Sequence, residues 1–227
     1  MYITGKNAIR EYLKNNTKIY KAYVNKNMKD ELISELKNKN ISIEYIDKFK
    51  LDKISKNNQG IIIKVDDYKY KDISDIDDDI VVILDHLEDP HNLGAIIRTC
   101  EVAGIRNIII PKDRSVSVNE TVMKTSAGAL NHINLIMVTN LTETMKKLKK
   151  DGFWFVGMDM SGDNYKKIDY TGKIGLVVGS EGFGMSKLVE QNCDFIATIP
   201  MRGKVNSLNA SVAAGIIIFE AMSQRCD

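Results

Sequence analysis

Leu176-Val-Val-Gly-Ser-Glu-Gly-Phe-Gly-Met185, followed further on by Ile199-Pro-Met-Arg-Gly-Lys-Val-Asn-Ser-Leu-Asn-Ala-Ser211, decides how this chain is read. Each short apolar run closes through a glycine-bearing or polar loop onto a helix. In an open α/β sheet such loops gather at the carboxyl ends of strands, where backbone amides and helix N-termini converge on ligands. The first loop spaces its glycines G-x-x-G-x-G, unlike the dinucleotide fingerprint G-x-G-x-x-G, and it carries Glu181 between Gly179 and Gly182. An acid there repels phosphate and suits a ligand bearing positive charge or hydroxyl groups. Taken alone, a plain strand–turn–helix connection explains the loop better, with Glu181 in a first turn where the helix dipole favours an acid.

The second loop shifts that balance. Asn206, Ser207, Asn209 and Ser211 crowd the start of a helix whose remainder is Val212-Ala-Ala-Gly-Ile-Ile-Ile-Phe219. One or two of them suffice as caps. Asn209 and Ser211 are expected inside the first turns, where neither is a good helix former, so their polar groups are free to bind something other than the helix.

Working outward, Ile80-Val-Val-Ile-Leu84 reads as a buried strand, Asp85–His91 as a loop, and Asn92–Ala103 as a helix capped by Asn92 and stopped by Gly104. Arg98, flanked by Ile96, Ile97, Cys100 and Val102, must emerge at a helix edge or be buried against an acidic or phosphate partner. Capping alone for Asn92 and a surface ion pair for Arg98 are the bland alternatives. Strands at 107–110, 133–138, 153–158, 175–178 and 195–199 alternate with helices at 121–129, 141–150 and 185–191, which predicts a largely parallel sheet covered on both faces. The terminal helix is apolar nearly all round, so it is central or covered by another chain, and a homodimer is expected.

Ahead of this unit, residues 5–65 pattern as helix, strand, helix, strand, short helix, strand, making a small α/β module. Between the two, residues 66–79 carry 7 Asp+Glu and 2 Lys+Arg, net −5, and read as a linker with at most a short turn. Residues 1–65 carry 14 Lys+Arg against 7 Asp+Glu, net +7, whereas 80–227 balance at 16 against 16. A compact basic module beside a neutral one is what capture of a polyanion needs. No apolar run reaches the ~18 residues that span a membrane, and the first residues lack an apolar signal core, so a cytoplasmic protein without membrane partners is expected. Cys100, Cys193 and Cys226 form an odd set without C-x-x-C spacing, which disfavours disulfides and thiolate metal sites. His86 and His91 flank Glu88 and Asp89, but without ligand spacing for a metal; a turn-rich loop fits better.

Asn92-Leu-Gly-Ala-Ile-Ile-Arg98, Gly179-Ser-Glu-Gly182 and Ile199-Pro-Met201 through Ser207-Leu-Asn-Ala-Ser211 resemble the three successive motifs of the SpoU (TrmH-type) RNA ribose 2′-O-methyltransferases. The resemblance covers essentially all of 80–227. Thr4-Gly-Lys-Asn-Ala8 and Asn58-Gln-Gly60 resemble the substrate-binding domain of the RlmB-like branch, which acts on a guanosine of large-subunit ribosomal RNA; that branch usually has His where this chain has Asn58. The resemblance implies a SPOUT fold, a parallel sheet with a C-terminal trefoil knot, preceded by a small α/β ribosomal-protein-like RNA-binding domain (1–65) and the acidic linker. It implies S-adenosyl-L-methionine held by Gly179, Gly182, Ile199, Met201 and Leu208, and catalytic surroundings formed by Asn92, Arg98, Glu181, Ser207 and Asn209. RNA, not DNA, would be the partner, met through Lys6, Asn7, Arg10 and Gln59, with the active site in a dimer and no metal. A transfer-RNA or resistance-type ribosomal methyltransferase, or a non-catalytic RNA-binding or assembly protein, are the alternatives.

Overall fold

The protein is described by a computed structural model over residues 1–14, 18–204 and 207–225; Asn206 and Cys226, named above, lie outside the described residues. Its contacts divide into two units, Met1–Lys69 and Tyr70–Asp227.

The first unit runs β1 (Tyr2–Thr4), α1 (Lys6–Lys14), β2 (Ile19–Asn25), α2 (Glu31–Asn38), β3 (Ile43–Ile46), α3 (Lys48–Ile54) and β4 (Ile61–Val65). Its sheet has the order β1-β4-β2-β3, with β2 and β3 parallel and the other pairs antiparallel. The hydrophobic pattern passes over β1 because three residues are too few to establish an alternation. Pairing with β4, Tyr2 opposite Lys64 and Thr4 opposite Ile62, makes it a strand. Ile9, Leu13, Leu32, Leu36, Ile61 and Ile63 are fully or nearly fully buried, so a small core holds the helices to the sheet.

The second unit runs β5 (Ile80–Leu84), α4 (Pro90–Val102), β6 (Asn107–Pro111), α5 (Glu120–Thr125), β7 (Asn134–Val138), α6 (Leu141–Lys150), β8 (Trp154–Asn164), β9 (Ile174–Val178), α7 (Lys187–Glu190), β10 (Phe195–Thr198) and α8 (Ala210–Ser223). The strands form one sheet, β10-β8-β9-β5-β6-β7, parallel at every pairing, as the alternation of strands and helices predicts. Ile80–Leu84 and Ile174–Val178 are buried at every residue, the pattern of central parallel strands covered on both faces. Much of the acidic stretch belongs to this unit. The Tyr70 hydroxyl accepts from Val118 N at 2.8 Å, Lys71 N donates to Leu135 O at 2.9 Å, and Ile73 and Ile76 pack on the core formed by Val81, Ile109, Ile136 and Met145.

Three helix boundaries differ from the sequence expectation, each because a side chain claims a backbone group. Asp89, not Asn92, caps α4: its carboxylate accepts from His91 N at 2.8 Å, and Pro90 follows at the first helical position. Asn209 is itself the cap of α8 instead of lying inside it, accepting from the Ser211 and Val212 amides. The helix expected at 185–191 shortens to α7 because Ser186 N donates to the Asp85 carboxylate at 2.6 Å. At the rear, α8 buries Ala210, Ala214, Ile217, Ile218 and Ala221 and packs on α4 and β9, leaving Val212 and Phe219 about half exposed. Among the described residues no helix is long and apolar enough to cross a membrane.

Candidate functional site

From β5 the chain crosses through α4 to β6 on one side; from β9 it crosses through α7 to β10 on the other. The reversal between neighbouring strands β5 and β9 opens a crevice at their carboxyl ends, the usual ligand seat of such a sheet. The loop carrying Glu181 follows β9 and opens on this crevice, whereas the second loop follows the edge strand β10 and returns to it through Asn209 and Ala210.

Glu181 is the centre of the arrangement. Its Oε1 accepts from Asn92 Nδ2 at 2.7 Å, from Asn209 Nδ2, and from Ala210 N at 3.4 Å. Asn209 Nδ2 also reaches Asn92 Oδ1 at 3.0 Å. Three segments separated by 89 and 28 residues thereby share one carboxylate oxygen. The carboxylate sits against the N-terminus of α8, where unpaired amides and the helix dipole favour an anion. Because Asp89 has taken the capping duty of α4, the buried carboxamide of Asn92 is free to join this junction. Asn209 does two jobs at once: Oδ1 caps α8 and Nδ2 binds Glu181 and Asn92.

The loop that presents Glu181 is closed by reciprocal backbone bonds, Ser180 N to Gly184 O and Gly184 N to Ser180 O, both 3.0 Å. A Cβ on Gly179 would lie 2.2 Å from the Gly184 carbonyl carbon, so no other residue fits beneath the closed loop. Gly184 has φ +65°, which glycine adopts without cost.

Beside this junction lies a cleft of about 400 Å³, within the range of small-molecule sites. Gly179, Gly182, Ile199, Met201 and Leu208 all line it, together with Glu181 and Ser207. Val178, Ala197 and Ala213 supply apolar wall, and Asp159 a second carboxylate. Such a lining suits a ligand with a flat apolar part, hydroxyls and a positive charge: carboxylates accept from hydroxyls and attract the cation, and exposed main chain meets ring nitrogens.

The structure thus brings Asn92, Glu181 and Asn209 into direct contact and Ser207 to the same cleft, while Arg98 stands apart. It lies six residues beyond Asn92, about 240° around the helix at 100° per residue. Its side chain emerges exposed, the first of the two options open to it, and among the described residues no acid pairs with it. In the first unit, Lys6 is paired with Asp30 at 2.6 Å, Arg10 reaches Glu35 at 3.4 Å, and the Gln59 side chain accepts from Lys6 N at 3.1 Å; Asn7 is exposed on α1.

Sequence reasoning passed over Asp85. Its side chain is fully buried, with one oxygen bonded to His86 Nδ1 and the other accepting from Ser186 N, so it ties the loop after β5 to the loop after β9. An acid directly after a wholly apolar strand was the available signal, since burial of a carboxylate demands partners. Cys100 is wholly buried and its thiol is pushed far up by desolvation; Cys193 is pushed up to about 12 by burial, so both are inert packing groups.

An open parallel sheet with a cleft beside the loop that follows β9, and a polar junction fed by three motifs, defines an α/β ligand-binding enzyme class. The chain belongs to the SpoU rRNA Methylase family, which it matches over residues 79–219, and residues 2–71 match the domain described as RNA 2′-O ribose methyltransferase substrate binding. YacO of Bacillus subtilis (strain 168), named as a TrmH family tRNA/rRNA methyltransferase, is 41% identical over 238 residues, covering 99% of this chain and 96% of YacO. A protein from Staphylococcus saprophyticus, likewise named as a TrmH family tRNA/rRNA methyltransferase, is 41% identical over 237 residues, covering 98% of this chain and 95% of its own. Among solved structures, the SpoU methyltransferase AviRb from Streptomyces viridochromogenes, in complex with AdoMet, superposes with a TM-score of 0.78 at 22% identity, over 99% of this chain and 90% of AviRb, a likeness of fold. The A. aeolicus TrmH/SpoU tRNA modifying enzyme gives 0.61 at 32% identity, over 66% of this chain and 76% of its own.

Proposed function

We propose that this RNA methyltransferase transfers a methyl group from S-adenosylmethionine to a ribose 2′-hydroxyl, with a guanosine of large-subunit (23S) ribosomal RNA as its substrate. The observation that carries the reading is the Asn92–Glu181–Asn209 junction beside a cleft that all five cofactor candidates line. The donor supplies an electrophilic methyl on a sulfonium; the protein's task is to aim a weak hydroxyl nucleophile at it. Gly179, Gly182, Ile199, Met201 and Leu208 hold the donor, largely through main chain. Glu181, kept in place by Asn92 and Asn209, presents a carboxylate that accepts a hydrogen bond from the ribose, and Ser207 lies on the same side of the cleft.

A guanidinium donates hydrogen bonds and accepts none, so the role of Arg98 is to hold a substrate phosphate and offset developing negative charge on the oxygen. Its exposure away from the junction fits a two-chain site. The exposed Val102, Val212 and Phe219 of α4 and α8 provide the apolar face for a homodimer, and Arg98 belongs to the same helix as Val102. The trefoil threading of the C-terminal segment, residues 1–65 as the RNA-binding domain, the acidic stretch 66–79 as its connection, packed into the second unit from Tyr70 onward, and a cytoplasmic location belong to the same reading.

Incubating the protein with labelled S-adenosylmethionine and RNA from cells lacking it tests the proposal. Label is expected in large-subunit RNA at a nucleotide whose 3′ linkage resists alkali; label confined to transfer RNA moves the substrate, and cofactor binding without RNA labelling removes the enzyme reading. Arg98→Ala is expected to abolish turnover while cofactor affinity stays within about twofold, and equal activity takes Arg98 out of the site.

A further inference from the structure

Phe183 is the most exposed large apolar side chain described, at 94% of its full accessible area, and it stands two residues from Glu181 at the tip of the closed loop. A ring left in water forgoes nearly all of its hydrophobic gain, and this one stands where two clefts meet. The loop beneath it is held closed: Ser180 and Gly184 exchange two backbone bonds, and Gly179 packs directly under Gly184. Phe183 lines both the cofactor cleft and a second cleft of about 560 Å³ on the loop's other side, with Asn92, Glu88, His86 and Arg114.

That second cleft has its own marks of a built site. His86 and Arg114 hold φ of +56° and +50°, a backbone region that non-glycine residues seldom occupy and that clusters at functional positions. Buried Asp85 fixes the His86 ring through Nδ1. Arg114 is exposed and forms no ion pair with a described residue.

We infer that the second cleft seats the target nucleotide, with its base stacked on Phe183 and its phosphate facing Arg114, so that the ribose between them meets Glu181; this rests on the function proposed above. A ribose cannot approach the methyl donor without its base and phosphate, and both must find places within one nucleotide of Glu181. An aromatic face and a guanidinium lining one cleft are the two groups that single-stranded RNA recognition uses. Stacking reads a flat face, so Phe183 positions the base without itself choosing among the four.

The test compares wild type with Phe183→Ala, Phe183→Leu and Phe183→Tyr in the full-length protein, using RNA from cells lacking it and labelled cofactor. Phe183→Ala and Phe183→Leu are expected to lower kcat/KM for RNA about tenfold or more, with cofactor affinity and oligomeric mass unchanged, and Phe183→Tyr to stay within about threefold of wild type. Full activity in Phe183→Ala, rescue by Leu equal to that by Tyr, or dissociation of an oligomer in Phe183→Ala overturns the base contact while leaving the enzyme assignment standing. Failure of the wild type to label any RNA overturns both, and is seen before any variant is compared.

Discussion

Asn58 and Asn92 are the same residue, both only 4% exposed, and both use the two ends of the carboxamide in hydrogen bonds. Asn58 donates to Asp52 at 2.8 Å and to Ser55 O at 2.6 Å, and accepts from Gly60 N at 2.9 Å, all within six residues. Asn92 spends its bonds on Glu181 and Asn209, 89 and 117 residues away. The first staples the turn that leads into β4; the second joins loops that the sheet topology brings together. Burial and polarity are alike in the two, so neither marks a functional residue. The mark is the distance along the chain over which the polar group is satisfied, and that becomes visible only in the fold.

Removing the shared acceptor breaks the long-range junction outright. In Glu181→Ala, the buried Asn92 amide loses its acceptor and Asn209 keeps only its bond to Asn92, with a stability cost of ~1–3 kcal/mol and a fall in methyl transfer of roughly 10²–10³-fold, read by denaturant unfolding and labelled-methyl transfer. Unchanged transfer in a folded variant would leave the junction as architecture alone. Asn58→Ala is the counterpart: it leaves Gly60 N and the Asp52 carboxylate short of a partner and is expected to destabilise the first unit by ~1–3 kcal/mol. Cofactor affinity should not move. A change there would erase the contrast between the two asparagines.

Residue spacing revealed the fold class because parallel strands buried on both faces are uninterrupted apolar runs, and Ile80–Leu84 and Ile174–Val178 are such runs. The polar surplus around Asn209 was equally legible, since a helix needs one cap and four candidates were present. Capping assignments were less secure: Asp89 and Asn92 are both competent caps at suitable positions, and only Glu181 at 2.7 Å decides which is released. Short β1 has no pattern to read, and Asp85 and Phe183 act through placement, which spacing does not encode.

Basic composition proved the least localising signal. Lys6 and Arg10, expected to meet RNA, lie against Asp30 at 2.6 and 3.8 Å, and Asp30 also caps α2 through Leu32 N. The Lys6 ammonium, and after it the Leu32 amide, hold the Asp30 carboxyl below the ordinary carboxylate range. A carboxyl whose pKa is lower folded than unfolded adds stability that is fully present above the unfolded value and is lost as pH falls through the folded one. Unfolding midpoints of wild type and Asp30→Asn should therefore differ at neutral pH and draw together as pH drops below the ordinary carboxylate range. Because these pairs are partly exposed, the gap is the smallest effect expected here, and added salt should narrow it. If the two proteins instead differ equally at every pH, Asp30 acts as a cap without its charge, and Lys6 and Arg10 are freer to meet a phosphate than their distances to Asp30 suggest.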